Sequence, residues 1–357
     1  MDSARHGREA GNPPRFLVML AAVALVTTTG VALWLLPAQM RGDWGTADGP
    51  TRSPAAAQSP LAVDPGRPPA QPPGGLPPDR THTSRPSGYM GFVDATRSPR
   101  FDLAANARRT GIVWYTVGHL TAGIDGCTPT WDGTAEKDDQ VADRIGRLRE
   151  QGGDAGLAFG GPYGPELSAA CTNQTRLTAA YQRMIDDFEP VAIDFELDDP
   201  GDPATVERRA LVIGVLQHEA QDAGRPLGVT FTLPVTEDGL LPAHAEMLRA
   251  TGEAGAEVDT VNLLMRFVPG SRDNLRRLSV AARAAHAQLE EALGVTGRAG
   301  WQRMGLTPVL VSPDDLTVSE AERLLAFRTR TGLAWLSVRG ARPADDVLRL
   351  LSAPTVT

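Results

Sequence analysis

From residue 89 onward the chain alternates between two hydrophobic rhythms. Short runs that are apolar on both faces read as buried strands: YMGFVDA (89–95), GIVWYTV (111–117), AGLAFG (155–160), VAIDFEL (191–197), LGVTFTL (227–233), VDTVNLLM (258–265), GLTPVLV (305–311) and LAWLSV (333–338). Between them lie longer stretches with apolar residues three and four apart, among them TRLTAAYQRMIDDF, ATVERRALVIGVLQHEAQDAG, DNLRRLSVAARAAHAQLEEALG and TVSEAERLLAFRTRTG. Several of these stop at a glycine, a common end signal for helices. Eight strand-helix repeats within about 260 residues predict an α/β fold, a (β/α)8 TIM barrel. A doubly wound open sheet is the alternative. Against it, no GxGxxG or GKS/T turn follows the first strand, so the phosphate-binding signatures of nucleotide folds are missing.

The N-terminal part follows neither rhythm. Residues 16–36, FLVMLAAVALVTTTGVALWLL, contain no charge and are long enough as a helix to cross a hydrocarbon core of about 30 Å. Arg5, Arg8 and Arg15 precede this segment, and Leu36-Pro37-Ala38 is a poor cleavage site. The expectation is a cytoplasmic segment 1–15, an uncleaved signal anchor 16–38 and an extracellular remainder, with secretion after cleavage as the alternative. Residues 39–88, centred on PGRPPAQPPGGLPP, hold too little apolar surface to fold and read as a Pro/Gly-rich disordered linker to a barrel domain at 89–357.

Setting aside the 8 arginines and 6 acids of residues 1–88 from the chain's 35 basic and 43 acidic side chains leaves 27 and 37 for the barrel. So acidic a domain repels phosphate backbones, and no nucleic-acid partner is expected. The six histidines show no ligand spacing, no GxSxG elbow anchors an acyl-transfer triad, and neither metal nor cofactor is expected. Cys127 and Cys171 both fall in the outer domain, where an oxidising compartment permits a bridge; two separate buried thiols are the other reading.

Chemistry concentrates on strand four. Asp194, Glu196 and Asp198 alternate with Ile193, Phe195 and Leu197, which sets three carboxylates on one face of the strand, pointing into the barrel. Mutual repulsion and desolvation there raise at least one pKa, as a general acid requires. For Asp198 the competing reading is a solvated strand end running into the turn Asp199-Pro200-Gly201-Asp202.

On these residues the domain resembles the glycoside hydrolase family 18 chitinases, in particular their bacterial secreted branch. The resemblance is carried by VDAT after strand one, GCTPTWDG around Cys127, GGDAGLAFGGPYG at strand three, ELSAACTN around Cys171, IDFELDD at strand four, VTFTLPV, VDTVNLL and GLTPV. It implies a TIM barrel that cleaves β-1,4-linked N-acetylglucosamine polymers with retention, the substrate's own acetamido group acting as nucleophile, outside the two-carboxylate scheme. It also implies a bridge between Cys127 and Cys171, because paired cysteines recur in that branch.

The departures all fall in one pocket. The family's Asp-x-Asp-x-Glu reads Asp194, Glu196, Asp198 here, so the acid is one methylene short and its neighbour one methylene long. A retreat of roughly 1 Å costs on the order of a hundredfold where geometry carries the rate. Where the family places Met-x-x-Asp-Tyr after strand six, this chain has Leu264-Met265-Arg266-Phe267, and Arg339 stands at the Trp that floors the sugar site. Ser312 replaces a common Gln, and the SxGG of strand three is Ala158-Phe159-Gly160-Gly161. Arg266 and Arg339 are expected to pair with Glu196 or Asp198 and lower their pKa values, opposite to what a general acid needs. The candidate site is therefore Asp198, Glu196 and Asp194 for catalysis and Arg266, Arg339, Tyr163, Met265 and Ser312 for binding, with Tyr163 the best aromatic platform and His119 a further residue on the same face. The expected partner is a chitin-like or cell-wall amino-sugar glycan, with hydrolysis reduced or lost. The alternative is a non-catalytic glycan-binding or protein-interaction module on the same scaffold.

Overall fold

Eight strands, each hydrogen-bonded in parallel to the next, close on themselves in a computed structural model of the chain that describes residues 86–131 and 138–353. They are β1 (Gly88–Asp94), β2 (Trp114–Ala122), β3 (Asp154–Gly160), β4 (Ala192–Glu196), β5 (Gly228–Thr236), β6 (Thr260–Arg266), β7 (Met304–Leu310) and β8 (Trp335–Ser337). β8 pairs with β1, and β1 with β2, which completes the barrel in chain order. The principal helices are α1 (Leu103–Thr110), α2 (Asp138–Arg149), α3 (Gln174–Phe188), α4 (Pro203–Asp222), α5 (Pro242–Glu253), α6 (Asn274–Leu293), α7 (Val318–Thr331) and α8 (Asp345–Ser352). The predicted TIM barrel is the fold observed. The expected signal anchor at 16–38 and nearly all of the linker lie outside the described residues; among the described residues no helix is long and apolar enough to cross a membrane.

The strand faces divide the core in two. Phe159, Phe195 and Phe231 are register partners on β3, β4 and β5 and stack beneath the helices with centroids 6.1 and 5.3 Å apart. Their neighbours in sequence face the lumen, where the residues are small or polar. Thr232 donates to both Asp194 oxygens at 2.8 Å, Asn262 donates to the Thr232 hydroxyl at 3.1 Å, and Thr307 donates to the Asn262 carbonyl at 2.7 Å. These buried polar groups thus satisfy one another across four strands, without which their desolvation would be uncompensated.

One predicted boundary shifts for a visible reason. The second strand begins at Trp114 rather than residue 111, because Gly111 takes a left-handed φ of 78° to cap α1. At its other end the strand runs on to Ala122 and folds back as Pro129–Trp131 in antiparallel pairing. Cys127 in that hairpin is bonded to Cys171, which ends the short helix Leu167–Ala170, so the expected bridge is present and ties the loop after β2 to the loop after β3.

Candidate active site

β4 delivers Asp194 and Glu196 to the lumen, 5% and 8% exposed, as strand alternation predicts. Asp198 lies two residues past the strand end and is exposed, so the expected trio is a buried pair with the third carboxyl out at the rim. Three further elements converge on Glu196. Arg339, which follows β8 in a short segment paired to β7, forms a hydrogen-bonded ion pair with it. The same guanidinium is 3.8 Å from an Asp194 oxygen and lies 3.4 Å above the centre of the Phe92 ring from β1. His119 closes the other side, with Nε2 2.9 Å from Glu196 Oε2 and Nδ1 3.7 Å from Asp94 Oδ2.

The position of His119 has a local cause. The pairing of β2 with β3 slips between Val117 and Leu120, and such an irregularity re-aims a side chain. Gly161 makes room for the imidazole: its φ is +83°, and a Cβ there would stand 2.4 Å from His119 Cδ2.

Electrostatics sort the carboxyls. Burial opposes ionisation of Glu196, but Arg339 and His119 outweigh it and hold the pKa down to about 2. Asp94 likewise is held at about 2, against partial burial, by His119 and by the Arg97 and Thr96 donors. In Asp194 burial wins and the pKa rises to about 7, with Arg339 too far away to reverse it. Burial disfavours the His119 cation, yet Asp94 and Glu196 raise its pKa above the ordinary value. The expected raised pKa therefore exists, on the carboxyl locked to Thr232.

A cavity of about 1030 Å³ lies below this cluster. Phe92, Asp194, Thr232, Asn262, Trp335 and Arg339 line its inner end, and it opens past Ala192 and Gly228 at the strand N-termini, the face opposite the mouth. The Glu196–Arg339 pair is thus a floor between the mouth and this space.

The remaining candidates separate. Arg266 is exposed on the lumen-side register of β6 and enters no ion pair among the described residues, so the expected pairing is made by Arg339 and not by Arg266. Met265 is 3% exposed and shares the outer face with Val261 and Leu263, because alternation turns it away from the mouth. Ser312 is engaged as the cap of the turn Pro313–Asp315, where its hydroxyl accepts from Asp314 N and its own N–H donates to Asp315. Tyr163 is 43% exposed at the rim, but the Arg97 guanidinium covers one face of its ring at 3.8 Å. Sequence reasoning missed Asp94, Phe92 and Arg97; the alternation of β1, which puts Met90, Phe92 and Asp94 on one face, is the signal that points to the first two. Among the described residues no group of acids, histidines or cysteines is arranged to hold a metal ion.

No family model matches the chain. It is 31% identical over 181 residues to the probable bifunctional chitinase/lysozyme of Escherichia coli K12, a match covering 49% of this chain and 20% of that protein. It is 28% identical over 180 residues to endochitinase 11 of Metarhizium anisopliae, covering 49% of this chain and 34% of that one. The chain therefore spans about a fifth and about a third of the length of these relatives. The catalytic domain of a hyperthermophilic chitinase from Pyrococcus furiosus superposes with a TM-score of 0.65 at 21% identity, over 74% of this chain and 94% of that domain. These similarities are to chitinases and, over most of this chain, to the barrel fold of a chitinase catalytic domain, so the chain is chitinase-like in sequence over about half its length and in fold over about three quarters.

Proposed function

We propose that this chain is a membrane-tethered extracellular domain that binds N-acetylglucosamine-containing glycans and has little or no hydrolytic turnover. The pairing of Glu196 with Arg339 carries the reading. A general acid has to hold a proton at the mouth until the glycosidic oxygen takes it. Glu196 is ionised at any ordinary pH, and the carboxyl that keeps its proton near neutrality, Asp194, is tied to Thr232 beneath the floor. That leaves Asp198 as the acid, on a side chain one methylene shorter than the resemblance calls for and at an exposed position. The relatives named as chitinases support a glycan as the ligand class. Residues 16–36 support the tether through their length and lack of charge.

The test measures binding and hydrolysis of N-acetylglucosamine tetramers by the full chain in detergent micelles. Binding is expected with turnover at least a hundredfold below that of a combined variant Glu196→Asp, Asp198→Glu, Arg339→Trp. Ordinary chitinase turnover by the native chain, abolished by Asp198→Asn, would overturn the loss of activity. Absence of binding to any amino-sugar glycan would favour a protein-interaction module instead.

A further inference from the structure

We infer that the glycan taken at this mouth carries a carboxylate, which Arg266 recognises. The inference rests on the proposed glycan reading and narrows its ligand class. Val309 on β7 is in register with Arg266 on one side and with Arg339 on the other. Two arginines therefore rise from the same level of the barrel, two strand spacings or about 10 Å apart between their Cα atoms. Their fates differ. Arg339 turns inward and is neutralised by Glu196, with Asp194 at 3.8 Å, whereas Arg266 remains exposed with no acid in ion-pair reach among the described residues.

Among the described residues no acid is in ion-pair reach of it. Its register partner Val309 and Leu264, two residues back on the same face of β6, are apolar, and Pro234 stands beside Leu264 on β5. Two acids of the adjoining loops are engaged elsewhere: Glu237 with Arg277 at 2.7 Å and Asp273 with Arg276 at 3.4 Å. An uncompensated guanidinium beside apolar groups, within a domain that is acidic as a whole, suits a planar bidentate anion. Leu264, Val309 and Pro234 can meet the apolar substituent that carries such a group. The matching chemistry is an amino sugar bearing a carboxylate on a short carbon arm, as in the lactyl ether of N-acetylmuramic acid. Asp198 and Asp199, past β4 and two strands away, disfavour binding in which the carboxylate points to the other side of the mouth.

The test compares the affinity of the full chain in detergent micelles for an alternating N-acetylglucosamine–N-acetylmuramic acid tetramer and for its lactyl methyl ester. The free acid is expected to bind at least tenfold more tightly than the ester at low salt, and Arg266→Gln is expected to bring the two within twofold. Arg266→Lys, which keeps the charge without the fork, is expected to retain part of the preference. Equal binding of acid and ester by the native chain, or a preference that survives Arg266→Gln, would overturn the inference while leaving the glycan reading in place. Failure of acid, ester and neutral tetramer alike to bind would overturn both.

Discussion

Replacing Arg339 with methionine removes the guanidinium but keeps most of the side-chain volume, and it is expected to destabilise the barrel by about 3–5 kcal/mol at pH 7, the usual cost of breaking a buried pair by deleting one partner. The structure gives an independent scale. Glu196 is held at about 2 instead of its ordinary 4.5, and a pKa lowered by that much in the folded state contributes roughly 3 kcal/mol at neutral pH. That contribution is fully present above about pH 4.5 and is lost as pH falls through 2. In the variant the buried Glu196 escapes by taking a proton, which costs about 1.4 kcal/mol for each pH unit above the ordinary carboxyl pKa. The deficit should therefore grow with pH between about 4.5 and 7.5 and shrink below it.

Urea unfolding of the full chain in detergent, followed by tryptophan fluorescence at pH 4.5 and 7.5, measures both values. Adding Glu196→Gln to Arg339→Met should recover all but about 1–2 kcal/mol, because the stranded charge is gone. A loss below 1 kcal/mol at pH 7.5, or an equal loss at the two pH values, would refute the view that the pair neutralises an otherwise uncompensated buried carboxylate.

Asp194 carries the opposite sign. Its pKa is raised to about 7 in the fold, so its stabilising effect is complete below about pH 4 and is lost as pH rises toward 7; Asp194→Asn should lose ground to the native chain at pH 4.5 and gain up to about 3 kcal/mol relative to it by pH 8, a comparison of unfolding midpoints that a flat pH difference would contradict. Gly161→Ala combines a left-handed backbone with a methyl aimed at His119, and is expected to cost about 2–5 kcal/mol and to move the His119 ring resonances; a loss below 1 kcal/mol would show that the imidazole is not held where it stands.

How far the sequence reveals this site depends on which kind of information each residue carries. Period-two alternation places Asp194 and Glu196 in the lumen without any structure, and the chain order of eight apolar runs is enough for the barrel. Alternation fails at two points for physical reasons. It carries Asp198 inward, but β4 ends at Glu196 and the backbone leaves the pleat. Extended past residue 117, it would also turn His119 outward with Tyr115 and Val117; the register slip after Val117 is what leaves His119 on the functional face, where the sequence reading put it. Met265 shows the same rule working against expectation, since period two puts it on the outer face once Asn262 is known to face Thr307. Ser312 is a case of local competition: a serine before Pro-Asp-Asp is drawn into a cap by three nearby backbone and carboxyl groups before it can face a groove. Which of two arginines reaches Glu196 is a matter of tertiary packing. Phe92 offers Arg339 a ring face, and among the described residues no aromatic ring lies under the Arg266 guanidinium.

The buried charges also constrain where a glycan can sit. With Asp94 and Glu196 ionised, Arg339 and His119 positive and Asp194 protonated, the cluster is close to neutral below pH 7, and each charge has its partner within 4 Å. A sugar ring at the depth of Phe92 would have to displace the guanidinium from that ring and from Glu196 at once, leaving a carboxylate in low dielectric with only His119 beside it. A favourable contact with an aromatic ring is worth about 0.5–1.5 kcal/mol beyond the area it buries, less than the pairing it would break. If the proposed glycan binds, the balance favours a ligand held above the floor, toward the exposed Arg266, and out of line with the buried carboxyls of β4. On the proposed reading, glycan binding without turnover would then trace to the single guanidinium that neutralises Glu196.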